Sequence, residues 1–371
     1  MSLAGLPIAH RAPAQAGLEG VVVADTRLSH VDGERGELII AGARAEDLAL
    51  TEAIDFETVV QRLLELGSGE TLVDVRQRLA EARVAAFARV AQLTPALTLP
   101  NTMDALLAAT AQGAAGGDAL SVLGSLPVFV AASARLHAGQ PPIAPDPQRS
   151  TAQDLRIMLG LSDNPARARA LDAYLVTVSD HGLNASTFAA RVVASTGSDI
   201  TPCILAGLSA LKGPLHGGAP GPVLDMLDAT TNVDARAWLE GELAAGRRIM
   251  GMGHRIYRVR DPRAFVFERA LARLEQEDGE SSAVPARLAH ARRVEQAAEV
   301  LLCERHPERP LRANVEFYTA LLLEAVGIPR ELFTATFAVG RCAGWLAHIE
   351  EQRRTGRLIR PAARYVGQMP H

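Results

Sequence analysis

From Ala45 onward, apolar residues recur at intervals of three and four through one segment after another, and that periodicity confines the chain to a mainly α-helical architecture. The pattern predicts helices over Phe56–Leu66, Leu72–Leu93, Thr102–Ala111, Leu120–Leu136, Thr151–Leu159, Ala166–Val178 and Asn184–Ser195. The one convincing exception is Gly17–Gly42, which reads as two short strands around the turn signal Asp32, Gly33. At 371 residues the chain can enclose a large core, as two or three units or as one large domain with a smaller insertion. The proline-rich stretch Ala138–Ser150 reads as a loop, and the acidic Glu275–Arg287 as a turn-rich surface projection. There is no internal repeat of solenoid length.

Composition narrows the functional classes. A formal charge of −4, with no face of interleaved basic and aromatic residues, argues against nucleic-acid binding. Lys212 is the only lysine, so arginine is the chain's general-purpose cation and its abundance alone does not mark phosphate sites. Cys203, Cys303 and Cys342 lie far apart, which argues against a disulfide framework or a thiolate metal site and predicts a reducing, cytoplasmic setting. With no apolar run of signal-peptide or membrane-spanning length, a soluble protein without a membrane partner is expected. The motifs HExxH and GxSxG and the P-loop are all missing, so metal, acyl-serine and nucleotide templates lack support.

Chemistry concentrates in two glycine-rich breaks between helical segments, GPLHGG (Gly213–Gly218) and GMGHR (Gly251–Arg255), each holding a histidine. Glycine permits positive φ and close backbone approach, so a histidine in such a turn can face a pocket. His216 falls between a helix ending near Leu211 and another beginning near Ala219. At a helix N-terminus the dipole disfavours imidazolium, leaving a neutral ring that can donate to an oxyanion; a histidine capping a tight turn has the same spacing. His254 is followed by Arg255, Arg258, Arg260 and Arg263, a series suited to a polyanion or to a solvated basic face. Arg341 is the only charge between Leu332 and Ala347, and so apolar a run demands an anion or an internal acid opposite it. Glu316, in the first turn of a helix opened by Asn314, reads by itself as a charge favoured by the dipole. His181, just before the N-cap candidate Asn184, is structural or ligand-binding on equal grounds.

Taken in order, ALKGPLHGGA, IMGMGHRIYRVRDPRA, NVEFYTALLLEAVGIPRELF, FAVGRCAGWLAHIEEQ and LIRPAARYVG resemble signatures of the citrate synthase family, and the likeness runs from about Gly17 to Gly367. The resemblance implies an all-α fold with a large helical domain (1–218 and 331–371), a smaller inserted helical domain (219–330) that closes over the substrates, and a homodimer. It implies condensation of acetyl-CoA or propionyl-CoA with oxaloacetate, then thioester hydrolysis, giving citrate or 2-methylcitrate with no cofactor and no metal. By the same resemblance Glu316 is the base, His216 the donor to the enolate, and His254 the donor to the oxaloacetate carbonyl. His181, Arg263 and Arg341 fall on oxaloacetate-binding positions, and Arg360 on an arginine lent by the partner subunit. Arg255, Arg258 and Arg260 are the candidate CoA-binding cations.

The chain also departs from the family pattern. Glutamate replaces the usual aspartate at Glu316, adding a methylene and about 1.5 Å of reach. Pro220, Met252, Asn101–Asp104 and Ala362 stand where the family usually has other residues. Those changes motivate a second reading, a catalytically weak paralogue that binds oxaloacetate or CoA in a regulatory role.

Overall fold

The computed structural model describes residues 18, 20–114, 116–216, 220–253, 257, 259–277, 284–308 and 311–369. Among them, strands are confined to one antiparallel sheet, ordered β1 (Ser29–Asp32), β2 (Glu37–Ile40) and β3 (Ala43–Arg44). β1 and β2 pair across the expected turn with Asp32 opposite Glu37. Asp32 Oδ1 accepts from the backbone of Glu34 and Arg35, and Gly36 takes the positive φ (66°) that closes the turn. The strands are shorter than the sequence pattern suggests: Val21, Val22 and Val23 stay exposed outside the sheet, and β3 was not foreseen.

The first helices are α1 (Ala45–Leu50), α2 (Phe56–Ser68), α3 (Val75–Phe87), α4 (Val90–Leu97), α5 (Thr102–Gly113), α6 (Ala119–His137), α7 (Thr151–Met158) and α8 (Pro165–Val178). Then come α9 (Ala185–Ala194), α10 (Ile200–Lys212), α11 (Pro220–Ala229), α12 (Ala235–Ala244), α13 (Pro262–Glu277), α14 (Val284–Arg305), α15 (Val315–Ala325) and α16 (Phe333–Thr355). The single helix expected over Leu72–Leu93 breaks between α3 and α4, where Arg89 turns aside to donate to the Gly113 carbonyl at the end of α5. The projection expected over Glu275–Arg287 is partly helical, because Glu275–Glu277 finish α13 and Val284–Arg287 open α14; residues 278–283 lie outside the described residues. α6 is the one described helix long and apolar enough to cross a membrane, and most of it is buried against α3, α5 and α16.

α16 is the axis of the molecule, packing on α2, α6, α8, α9 and α10, and every residue from Ala338 to Ile349 is buried. A helix apolar all round is stable only when enclosed in this way. Its Gly340 and Gly344 permit the approach to α8: a Cβ on Gly344 would sit 2.3 Å from the Ser179 carbonyl oxygen, to which Gly344 N instead donates at 3.0 Å. α13, within the expected insertion, packs on α1 and α8 as well as on α15, with the Phe267 and Tyr174 rings 5.3 Å apart. These contacts bring the ends of α8, α13, α15 and α16 around one cavity.

Candidate active site

A cavity of about 800 Å³ opens where the end of α8, the turn after α10, the loop before His254 and the starts of α13, α15 and α16 converge. His181, His216, Arg263, Glu316 and Arg341 all line it, although up to 160 residues separate them. His254, Arg255 and Arg258 lie outside the described residues.

α10 stops at Lys212, and the turn that follows, closed by His216 N donating to Gly213 O at 2.9 Å, sets the His216 ring half-buried on the cavity wall. Burial, reinforced by the Arg341 guanidinium, pushes its pKa down to about 4, so the ring is neutral at pH 7. Burial and Arg341, rather than the helix dipole expected from the sequence, account for that neutrality in the folded protein. Ring Nε2 lies 2.8 Å from Ser186 Oγ, which also accepts from Trp345 Nε1 (3.2 Å) and donates to Asn184 Oδ1 (2.8 Å). A hydroxyl has one proton, so Ser186 governs the tautomer. Given to Asn184 Oδ1, that proton leaves the hydroxyl to accept from a ring N–H on Nε2; turned toward Nε2 instead, it leaves the ring N–H on Nδ1. The sequence reading passed over Ser186, which is legible only as the second residue after the N-cap Asn184.

Glu316 sits in the first turn of α15, whose N-cap Asn314 accepts from Glu316 N (2.9 Å) through Oδ1. The same Asn314 donates from Nδ2 to Gly253 O (2.7 Å), while Gly253 N donates to Arg312 O (2.7 Å) and Asn314 N to Gly251 O (2.8 Å). Gly251 and Gly253 take φ of 74° and 78°, which this stitching requires. The glycine turn ahead of His254 is thereby fastened to the start of the helix that carries Glu316. Among the described residues the Glu316 carboxyl forms no ion pair or side-chain hydrogen bond. Burial pushes it up to about 7, with Arg263 and Arg341 opposing and Asp261 reinforcing the shift.

Two buried cations form the anionophilic wall. Arg263 is clamped by Asp261 (2.8 and 3.1 Å). Arg341 donates from Nε to Val178 O at 2.7 Å and lies 4.6 Å over the Phe337 ring, and among the described residues no carboxylate pairs with it. The internal salt bridge that the sequence allowed for Arg341 is therefore not what the fold provides. Burial lowers its pKa to about 10, with nearby Asp180 opposing, so it stays charged at neutral pH. Asp180 is engaged elsewhere: Ser29 Oγ donates to it at 2.5 Å and His348 Nε2 contacts it at 3.2 Å. Ser29 also accepts from Gly182 N (2.9 Å), so β1 pins the turn that carries His181, whose Nε2 lies 3.0 Å from Tyr257 Oη.

Other expected site residues lie elsewhere. Arg260 pairs with Glu268 (2.8 Å) beside the Tyr318 ring and does not line the cavity, because α13 places that carboxylate within its reach. Arg360 is exposed and lines a separate cavity between residues 18–27 and the chain's last segment. Two arginines and a histidine that the sequence did not single out do line the first cavity: Arg247, paired with Glu242 (2.6 Å), the exposed Arg248, which makes no ion pair among the described residues, and His306. The signal was the Arg247–Arg248 pair just ahead of GMGHR, hidden by the chain's general preference for arginine. Among the described residues no cluster of His, Cys, Asp and Glu could hold a metal ion.

Residues 17–362 match the family model described as citrate synthase, C-terminal domain. The chain is 35% identical to citrate synthase 2 of Bacillus subtilis, over 95% of each protein. Its fold matches the crystal structure of citrate synthase from Pyrobaculum aerophilum with a TM-score of 0.82 and 31% identity, covering 96% of this chain and 93% of that one. It matches equally, at a TM-score of 0.82 and 27% identity over 96% of both chains, the Thermoplasma acidophilum citrate synthase solved as a ternary complex with carboxymethyl coenzyme A and oxaloacetate.

Proposed function

This chain belongs to the citrate synthase family, and from that premise we propose that it condenses acetyl-CoA, or a short homologue such as propionyl-CoA, with oxaloacetate. The product is citrate or 2-methylcitrate, and free CoA leaves after thioester hydrolysis. The observation that carries this reading is that, among the described residues, a carboxyl without an ion pair (Glu316), a neutral imidazole (His216) and a buried guanidinium without an ion pair (Arg341) meet in one cavity.

The α-proton of a thioester is too weakly acidic for an unaided carboxylate, so base and oxyanion donor must act together. Glu316 takes that proton while His216 donates to the thioester oxygen, where the charge of the enolate collects. The new carbon bond forms at the ketone carbon of oxaloacetate, whose oxygen takes a proton from His254. Arg263, Arg341 and His181 hold the dicarboxylate, and Arg360 serves the partner subunit's site in a homodimer. Arg247, Arg248 and His306, together with Arg255 and Arg258, suit the phosphates of CoA. Residues 219–330 form the lobe that closes on the body and excludes water. The acyl-CoA is a substrate, so no resident cofactor is required, and the free thiols Cys203, Cys303 and Cys342 fit a cytoplasmic setting.

Thiol release from acetyl-CoA and from propionyl-CoA is expected to depend on oxaloacetate, and the ratio of the two rates fixes the acyl preference. No release with either acyl-CoA, in folded protein that still binds oxaloacetate by calorimetry, would overturn the proposal in favour of a regulatory binding protein. Arg341→Met removes a charge with which no acid forms an ion pair among the described residues. It is expected to weaken oxaloacetate binding by about 10- to 100-fold, the worth of one hydrogen-bonded charge, in a protein that still folds. An unchanged calorimetric affinity would remove Arg341 from the dicarboxylate site.

A further inference from the structure

One polar atom beside the cavity has no role in this scheme. Tyr174, on α8, is fully buried at the cavity wall, and among the described residues its hydroxyl has no hydrogen-bond partner. The ring is explained by packing on Phe267 at 5.3 Å. The hydroxyl is not, since a phenylalanine would fill the same space without burying an unsatisfied donor. The charged groups acting on the phenol are Glu316 first, then Arg341 and Arg263. Glu316 is the only acceptor among them, and its own carboxyl has no donor. Burial and that carboxylate both raise the phenol's pKa, so Tyr174 stays a neutral O–H at any working pH.

We propose that Tyr174 is a positioning residue for Glu316, donating its hydroxyl proton in a hydrogen bond to the carboxylate once an anionic substrate occupies Arg263 and Arg341. The inference rests on the reading of Glu316 as the base. In the free protein the two guanidiniums favour ionised Glu316. A bound dicarboxylate neutralises them, and a carboxylate left alone in a buried site takes up a proton and stops being a base. A hydrogen bond donated to the charged form counters that change and aims one oxygen. A buried phenol without a partner, on the wall of the cavity that Glu316 also lines, can supply it.

Tyr174→Phe keeps the ring contact with Phe267 and removes an unsatisfied group, so it folds. With the enzyme saturated, kcat is expected to fall about tenfold, and the acid limb of the kcat–pH profile to move up by about one pH unit, while the KM for oxaloacetate stays within about twofold. In parallel, the protonated-carboxyl infrared band of Glu316, identified by its loss in Glu316→Gln, is titrated with oxaloacetate bound. Its midpoint is expected to rise by the same amount. An unshifted midpoint and limb overturn the proposal, and so does a raised KM with an unshifted limb, which would give the hydroxyl to the substrate. The infrared titration needs no turnover, so a chain that condensed nothing would sink the reading of the reaction while leaving this contact to be judged by its own midpoint.

Discussion

Glu316→Gln is expected to lower kcat on the order of a thousandfold, within the range for loss of a general base, while oxaloacetate affinity changes little. Glutamine keeps the length and shape of the side chain and the Asn314 cap at its backbone, so the loss reports the missing base alone. Because burial pushes the carboxyl up to about 7, the parent enzyme should lose activity as pH falls through neutrality, since only the ionised form accepts the α-proton. Glu316→Asp keeps the charge and withdraws it by about 1.5 Å. It should retain clearly more activity than Glu316→Gln, which separates reach from basicity. Steady-state rates across pH 5 to 9 for the three proteins check this, and a glutamine variant within about tenfold of the parent would remove Glu316 as the base.

The second large effect is expected at His216. Replacing it with alanine should cost about 100- to 1,000-fold in kcat, the measured range for one oxyanion donor. His216→Asn, which can still donate, should recover part of that loss. With its pKa pushed down to about 4, His216 does not titrate near neutrality, so the parent's pH profile should show one acid limb, that of Glu316. A second limb near the ordinary histidine value, abolished in His216→Ala, would mean that the ring is charged in the free enzyme and that the neutral-donor assignment is wrong.

Several site residues were legible because local rules mark them. Arg341 stands out as the only charge in an apolar helix, His216 and His254 are set off by glycine turns, and Glu316 follows the N-cap Asn314. Others were not, because their meaning depends on what they face. Tyr174 in the sequence is one more aromatic on the apolar side of α8, and only the cavity shows its hydroxyl to be unsatisfied. Ser186 matters through its contacts with His216 and Trp345, which are distant along the chain. Arg260 read as an anion site until α13 placed Glu268 against it.

The sequence alone determined the helical class, through periodicities of three and four, and the turns, through glycine, proline and asparagine. Both are local properties, since backbone preference and amphipathic spacing operate over a few residues. It also carried enough ordered motifs to mark the family. The tertiary structure decided the protonation state of each acid and base, which cations are paired and which stand open to a ligand, and which hydroxyl lacks a partner. Burial and Coulomb interaction depend on distance through space, and the distances among Tyr174, His216, Glu316 and Arg341 exist only once α16 has drawn the helices around it.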